Sequence, residues 1–402
     1  MTNNKKNKYL LPLIIMASLF FLLGFITTMN NSMIDFLKGA FHLNDVEKQF
    51  PNTFFYGAYI LSVPIGFLIN KIGYKNGVLS GLAMIVLGFF LCIPMVGFGY
   101  YPFLLAVGVF AIGVVVLQVA ANPYVNALGS KETAASRLTL TNALNSVATV
   151  IAPIFVSMLI VNDTNDPRAV QFPFGLIGVI TLVILVIMFF LKLPEIKGTE
   201  EDTEKGETKE YKSSAFKYPH VWLGALAIFF YMGIEIGIPS FFADFSSAIG
   251  LNFDSLARTD ILKYYWGGLM VGRLLGIFVL QKFSARKILT ICACCGIIFI
   301  ASAMIIGAGA GTLALCLFLG TGLFHSIMWP TIFSLSLEDL GPNAKVASGL
   351  ISTAVIGAAI LMPLMGVIQN AAGTVFAAIA CLFVFYIYLI FFASKGSKIR
   401  TA

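Results

Sequence analysis

One length dominates this chain of 402 residues: apolar runs of about 20 residues recur about a dozen times, with mostly short connections. At ~1.5 Å per helical residue, each run is long enough to cross ~30 Å of hydrocarbon. The composition agrees, with 58% of residues hydrophobic and 11% charged, against roughly 25% charged in a soluble domain. The expected fold class is therefore an all-α membrane protein. Twelve transmembrane helices are predicted at 9–37, 51–71, 75–98, 101–128, 134–161, 170–192, 217–249, 257–281, 285–309, 311–337, 342–370 and 372–394. The first run exceeds the apolar core of a cleavable signal, and no small-residue cleavage site precedes the next polar stretch, so it is read as a retained helix.

Lys and Arg resist translocation, whereas acidic residues matter little. With the amino terminus inside, the cytoplasmic segments hold 20 of the 26 Lys and Arg. The outer loops hold Lys38, Lys48, Arg168, Arg258 and Lys263, and Arg273 falls within span eight. Both termini are thus expected in the cytoplasm. The same bias accounts for the net charge of +7, so no nucleic-acid partner is implied. All six cysteines fall in apolar spans, where they act as small hydrophobes rather than a disulfide framework. Cys292, Cys294 and Cys295 have no histidine or acid near them in sequence, and no metal is expected.

Between Pro194 and Tyr211 the chain turns highly charged. Such a segment cannot bury enough apolar surface to fold and reads as a flexible cytoplasmic linker. The predicted organisation is a six-helix bundle at 1–192, a linker at 193–216 and a second six-helix bundle at 217–402. The halves match when slid by about 210 residues: Phe55-Tyr56-Gly57 parallels Tyr265-Trp266-Gly267, Gly66 parallels Gly276, and Pro153 parallels Pro363. Asn122-Pro123 of span four meets Trp329-Pro330 of span ten. An internal repeat of this kind is the trace of a transporter.

A charged side chain at bilayer depth costs roughly 2.5 kcal/mol or more and marks a functional site by default. Glu235 lies near the middle of the 217–249 run, deeper than any other acid of the chain. The site is expected near the midplane, where Pro-containing helices leave backbone groups for a ligand. The polar side chains at that depth are Asn30, Asn31, Asn52, Tyr56, Gln118, Asn122, Asn126, Asn142, Asn145, Glu235 and His325. Gln118, Asn122 and Asn126, at i, i+4 and i+8, share one helical face, as Asn142 and Asn145 do at i, i+3. These amides, with Tyr56 and Trp329 as stacking surfaces, suit an uncharged polyhydroxy compound. Each amide could equally be an interhelical tie worth about 0.6 kcal/mol, and each aromatic ordinary packing.

A carboxyl that is cheap to bury only when protonated can couple proton binding to reorientation. Glu235 is the first candidate for that role, with His325 and Asp35 behind it. The competing readings are a permanently hydrogen-bonded acid at Glu235, a satisfied core histidine at His325 and a hydrated helix end at Asp35. Arg273, inside the cytoplasmic end of span eight, either snorkels or pairs with Glu338 or Asp339 at the inner end of span ten. Such a pair would latch an inner gate.

At these residues a resemblance emerges. Gly66-Phe67-Leu68-Ile69-Asn70-Lys71-Ile72-Gly73-Tyr74-Lys75 is similar to the loop motif of the major facilitator superfamily, with Asn70 where aspartate is usual. Gln118-Val119-Ala120-Ala121-Asn122-Pro123-Tyr124-Val125, Tyr231-Met232-Gly233-Ile234-Glu235, Gly272-Arg273 and Ser326-Ile327-Met328-Trp329-Pro330-Thr331-Ile332-Phe333-Ser334-Leu335 resemble the fucose permease and glucose/galactose porter family. The likeness implies twelve helices in two six-helix bundles, alternating access, and sugar uptake with a co-transported cation, usually a proton. It also places Asn142 and Asn145 at sugar-contacting amide positions. Two family carboxylates are amides here, Asn31 and Gln118, so the likeness moves the coupling role to Glu235.

The leading expectation is a secondary active importer of a hexose or N-acetylhexosamine by proton symport, ahead of sodium symport and uniport. No cofactor is expected beyond co-transported H+ or Na+. The partners are a small-molecule sugar and the lipid bilayer. A monomer in a bacterial inner (plasma) membrane is anticipated. His42, His220 and His325 lie in separate segments without ligand spacing, which argues against an enzyme. A non-transporting sugar sensor is the reading from another class, and accumulation in vesicles separates the two.

Overall fold

A computed structural model describes residues 2–43, 47, 50–160, 166–191, 213–253 and 255–398, and among them every regular element is helical. The long helices are α1 (Thr2–Ser32), α2 (Ile34–Ala40), α3 (Phe50–Gly57), α4 (Ser62–Phe98), α5 (Tyr100–Ala127), α6 (Ala134–Ile160) and α7 (Gln171–Phe190). After the 193–216 segment come α8 (Pro219–Ala248), α9 (Ser255–Lys282), α10 (Ala285–Ile306), α11 (Gly311–His325), α12 (Met328–Ser336), α13 (Ala344–Thr353), α14 (Gly357–Ala372) and α15 (Val375–Ser394). Their ends follow local signals. Pro219 opens α8 at a position whose N–H has no helical partner. Gly373, at φ 67, ends α14 in the left-handed region, and the Thr374 hydroxyl caps α15 by accepting from the Phe376 N–H.

One expected loop is bridged by a kinked helix and two expected spans are interrupted. Gly73, at φ 85 and ψ 168, divides α4 where the sequence places a loop between spans two and three. Span ten breaks after His325, and span eleven passes through a 3-10 turn at Ala354–Ile356. Among the described residues, eight stretches are long and apolar enough to cross a membrane, including Thr53–Phe98 at 46 residues and Ala285–Ser336 at 52.

The chain groups into two compact units. The first comprises Met1–Gly129, Leu144–Glu210 and Gly341–Thr353; the second comprises Ser130–Ala143, Tyr211–Leu340 and Ala354–Ala402. In the first unit α4 packs on α5, α7 and α13. Phe89 stacks on Phe110 at 4.8 Å, with Phe174 5.4 Å away. Glycine lets α4 and α5 approach: a β-carbon at Gly81 would lie 2.7 Å from the Leu117 nitrogen. In the second unit α15 packs on α8 and α10, and α11 on α9 and α10. Phe245 and Phe318 stack there at 4.3 Å.

Candidate functional site

Proline has no N–H, so within a helix the carbonyl four residues earlier loses its donor. At membrane depth that carbonyl needs another partner. Pro123 and Pro239, inside their helices, leave the carbonyls of Val119 and Glu235 in this state, and the Ser326 carbonyl is left over at the break just before α12, whose first turn holds Pro330. A side chain from another helix takes each of them. The Ser348 hydroxyl of α13 donates to Val119 O at 3.2 Å, and the Tyr265 hydroxyl of α9 donates to Glu235 O at 2.9 Å. Arg273, two turns further along α9, donates from Nε to Ser326 O at 3.2 Å.

The break between α11 and α12 also exposes the His325 carbonyl, and the Tyr231 hydroxyl of α8 donates to it at 3.0 Å. Helical bonding resumes at Thr331 N–H to Ile327 O, 3.1 Å. A β-carbon at Gly272 would strike the Leu323 carbonyl and the Ser326 hydroxyl, so glycine seats α9 directly against the break.

Charge collects at the same place in the second unit. Arg273 Nη2 lies 3.7 Å from Glu235 Oε1, the two side chains being 11% and 14% exposed. Nη1 lies 3.4 Å from the Asn142 carbonyl. The guanidinium thus meets two backbone carbonyls and one carboxylate. Removing one member of a buried pair costs about 3–5 kcal/mol, because the other is left charged and alone. Beside the pair, fully buried His325 is bracketed by tyrosines: Nδ1 lies 2.9 Å from the Tyr265 hydroxyl, and Nε2 is hydrogen-bonded to the Tyr386 hydroxyl.

The first unit carries amides instead. Asn122 is 1% exposed, and its Oδ1 has no hydrogen-bond partner. A buried oxygen of that kind can accept a hydrogen bond from a water or a ligand hydroxyl. Gln118, one turn earlier and half-buried, is hydrogen-bonded by Tyr59, whose ring stacks on Tyr56 at 6.4 Å. Asn145 has a different use: Nδ2 donates to Phe20 O of α1 at 3.0 Å, and a β-carbon at Gly24 would lie 2.8 Å from that amide. It is an interhelical tie. Asn30 is buried on α1. The side chains of Asn31 and Asp35 lie outside the described residues.

Two further expected contacts fall in the second unit. Asn142 donates from Nδ2 to Leu138 O of its own helix at 2.8 Å. Trp329 is half-buried and stacked on Phe333 at 5.0 Å.

The expected pairing of Arg273 with Glu338 or Asp339 is corrected. The Arg273 guanidinium faces Glu235, while Glu338 pairs with Arg286 of α10. Arg286 Nε also donates to the Ser397 hydroxyl at 3.0 Å, and His220 Nε2 lies 3.0 Å from Glu338 O. Asp339 follows in the left-handed region at φ 59, a conformation aspartate tolerates better than most residues. The sequence reading missed Tyr231, Tyr265, Tyr386 and Ser348. A readable signal existed for Tyr265 and Ser348, since each proline names the carbonyl that needs a donor; it does not say which residue supplies it.

A family model described as Major Facilitator Superfamily matches residues 16–363. The chain is 39% identical over 408 residues to the glucose/galactose transporter of Brucella abortus, covering 99% of this chain and 96% of that protein. It is 27% identical over 398 residues to the L-fucose-proton symporter of Escherichia coli, covering 92% and 90%. The crystal structure of the Major Facilitator Superfamily transporter FucP in the outward conformation superposes with a TM-score of 0.86 at 25% identity, covering 97% of this chain and 99% of that one.

Proposed function

Because the chain belongs to the major facilitator superfamily, we propose that it imports a hexose of the glucose/galactose class by alternating access, driven by proton symport at Glu235. The relatives at 39% identity are glucose/galactose transporters, and the one at 27% is an L-fucose-proton symporter. The observation that carries the coupling assignment is the Glu235–Arg273 pair at 3.7 Å.

A carboxylate this buried is tolerated only with a partner. Arg273 is one partner and a proton is the other. When a proton from outside converts the Glu235 carboxylate to the neutral acid, the guanidinium is freed from it. The freed guanidinium is then less stable where it stands and keeps only its bonds to the Ser326 and Asn142 carbonyls, so protonation disfavours the paired arrangement. Release of the proton inside restores the ion pair. Arg273 keeps its bond to Ser326 O throughout, so the positive charge stays anchored while its counter-charge comes and goes.

Sugar contact falls to Asn122 and Gln118 of α5, with Asn30 and Tyr56 of the same unit as further contacts. The unpartnered Oδ1 of Asn122 supports this, since a sugar hydroxyl is the donor it lacks. The reading has twelve crossings. Of the eight apolar stretches, Thr53–Phe98 and Ala285–Ser336 are long enough for two each, and α6 and α9 supply two more. The moving bodies are the bundles 1–192 and 217–402, joined by 193–216, in a monomer. The protein sits in the bacterial inner membrane with both termini in the cytoplasm.

The test is uptake of labelled glucose, galactose, fucose, mannose and N-acetylglucosamine into proteoliposomes under imposed proton or sodium gradients. Proton-driven accumulation of glucose or galactose, lost in Glu235→Gln while counterflow persists, is expected. Accumulation driven only by sodium would overturn the proton assignment, and failure to move any of these sugars would overturn the substrate class.

A further inference from the structure

We infer that His325 is a positioning residue held in one neutral tautomer, with its proton on Nδ1, and that Pro239 and Tyr265 dictate that choice. That His325 is not itself the proton carrier rests on the assignment of coupling to Glu235.

The direction of each hydrogen bond follows from counting protons. Pro239 offers no N–H to Glu235 O, and a carbonyl can only accept. The Tyr265 hydroxyl, 2.9 Å away, has a single proton and spends it on that carbonyl. The same hydroxyl lies 2.9 Å from His325 Nδ1. With its proton committed, the Tyr265 oxygen can only accept there, so Nδ1 carries a hydrogen. In a neutral imidazole the other nitrogen then has a lone pair. Nε2 faces the Tyr386 hydroxyl, which donates to it. The chain of bonds runs one way: Tyr386 to His325, His325 to Tyr265, Tyr265 to Glu235 O.

The seat is built for this arrangement. A β-carbon at Gly322 would lie 3.0 Å from the Tyr265 ring, and one at Gly296 would lie 2.8 Å from the Tyr386 hydroxyl. Two glycines on α11 and α10 thus admit the two tyrosines that bracket the histidine. All three side chains of the bracket are fully buried. His325 is also the last residue of α11, so the network fixes the broken helix to α9 and α15 and steadies the Glu235 backbone beside Arg273.

Two measurements separate this from a proton-carrying histidine. In protein labelled with 15N-histidine, with His325 assigned by loss of its signals in a His325→Asn variant, Nδ1 is expected in the protonated, pyrrole-like range. Nε2 is expected in the pyridine-like range, and both should be unchanged between about pH 5.5 and pH 8. The preference should relax in Tyr265→Phe, which removes the acceptor. A proton on Nε2, or a charged ring anywhere in that interval, would overturn the inference whether or not any sugar is moved.

In proteoliposomes, His325→Asn, whose amide N–H stands near the place of Nδ1–H, should keep proton-driven glucose accumulation. His325→Gln, whose N–H stands nearer Nε2–H, should lose it. Neither amide titrates here. A folded His325→Asn that exchanges glucose without accumulating it would make His325 the proton carrier and contradict the inference.

Discussion

Pro123 in the first unit and Pro330 in the second stand at corresponding places of the sequence repeat, yet the carbonyls four residues before them are met by different chemistry. Val119 O takes a neutral hydroxyl from Ser348; Ser326 O takes the guanidinium of Arg273. A hydroxyl brings no charge into the membrane and asks for nothing further. A guanidinium does bring charge, and a lone buried cation is expensive. Glu235 at 3.7 Å is the counter-charge that makes Arg273 tolerable there. The difference teaches how one repeat can supply two functions. The unit whose freed carbonyl is met by a neutral donor keeps an uncharged amide face that includes Asn122. The unit whose break is closed by a charged donor acquires a buried ion pair, the one proposed to couple proton binding to transport.

The largest effect that sharpens this contrast is expected at Arg273. Arg273→Ala leaves Glu235 unpaired and Ser326 O without its donor, and should lower stability by about 3–5 kcal/mol and abolish proton-driven uptake. Thermal melting in detergent and vesicle uptake check both. Arg273→Lys restores a charge near Glu235 but not the planar fork that reaches two carbonyls, so it should recover part of the stability and little of the coupling. Full stability in Arg273→Ala would break the comparison.

A smaller effect distinguishes two asparagines of the first unit. Asn122→Ala should weaken glucose binding about tenfold, the ~1.4 kcal/mol of one good hydrogen bond, with little change in melting. Asn145→Ala should do the reverse, loosening α6 from α1 and lowering the melting temperature while leaving affinity nearly unchanged. Identical behaviour of the two variants would contradict the division between ligand contact and interhelical tie.

The smallest effect belongs to Ser348→Ala. Loss of its bond to Val119 O should cost about 0.6 kcal/mol, the mean for an interhelical hydrogen bond in a membrane protein, with coupling intact. Loss of coupling in Ser348→Ala would show that the neutral closure carries the same function as the charged one.

Much of the architecture was legible in the chain because apolar length sets helix length. The expected spans at 101–128, 134–161, 170–192, 217–249 and 257–281 agree closely with α5 to α9. Span ten was expected as one helix across 311–337, and its break after His325 lies where α9 presses in through Gly272. Glu235 was legible as the deep acid, but its partner was not. Arg273 and Glu338 lie nearer in sequence to a common membrane face, and only the packing of α9 on the α11–α12 break turns the guanidinium toward α8. Asn142 and Asn145 share a helical face in sequence, yet one bonds its own helix and the other ties α6 to α1. Periodicity fixes which face a side chain occupies, not which neighbour reaches it. The tyrosines around His325 were hidden for the same reason, since nothing in their local sequence marks them apart from packing aromatics.

The most direct test of the Glu235–Arg273 switch is the proton movement that accompanies sugar entry. Glucose added to de-energised, weakly buffered proteoliposomes should make the external medium alkaline in the wild type. In Glu235→Gln it should leave the external pH unchanged while labelled glucose still exchanges. An alkaline shift of wild-type size in Glu235→Gln would contradict the account.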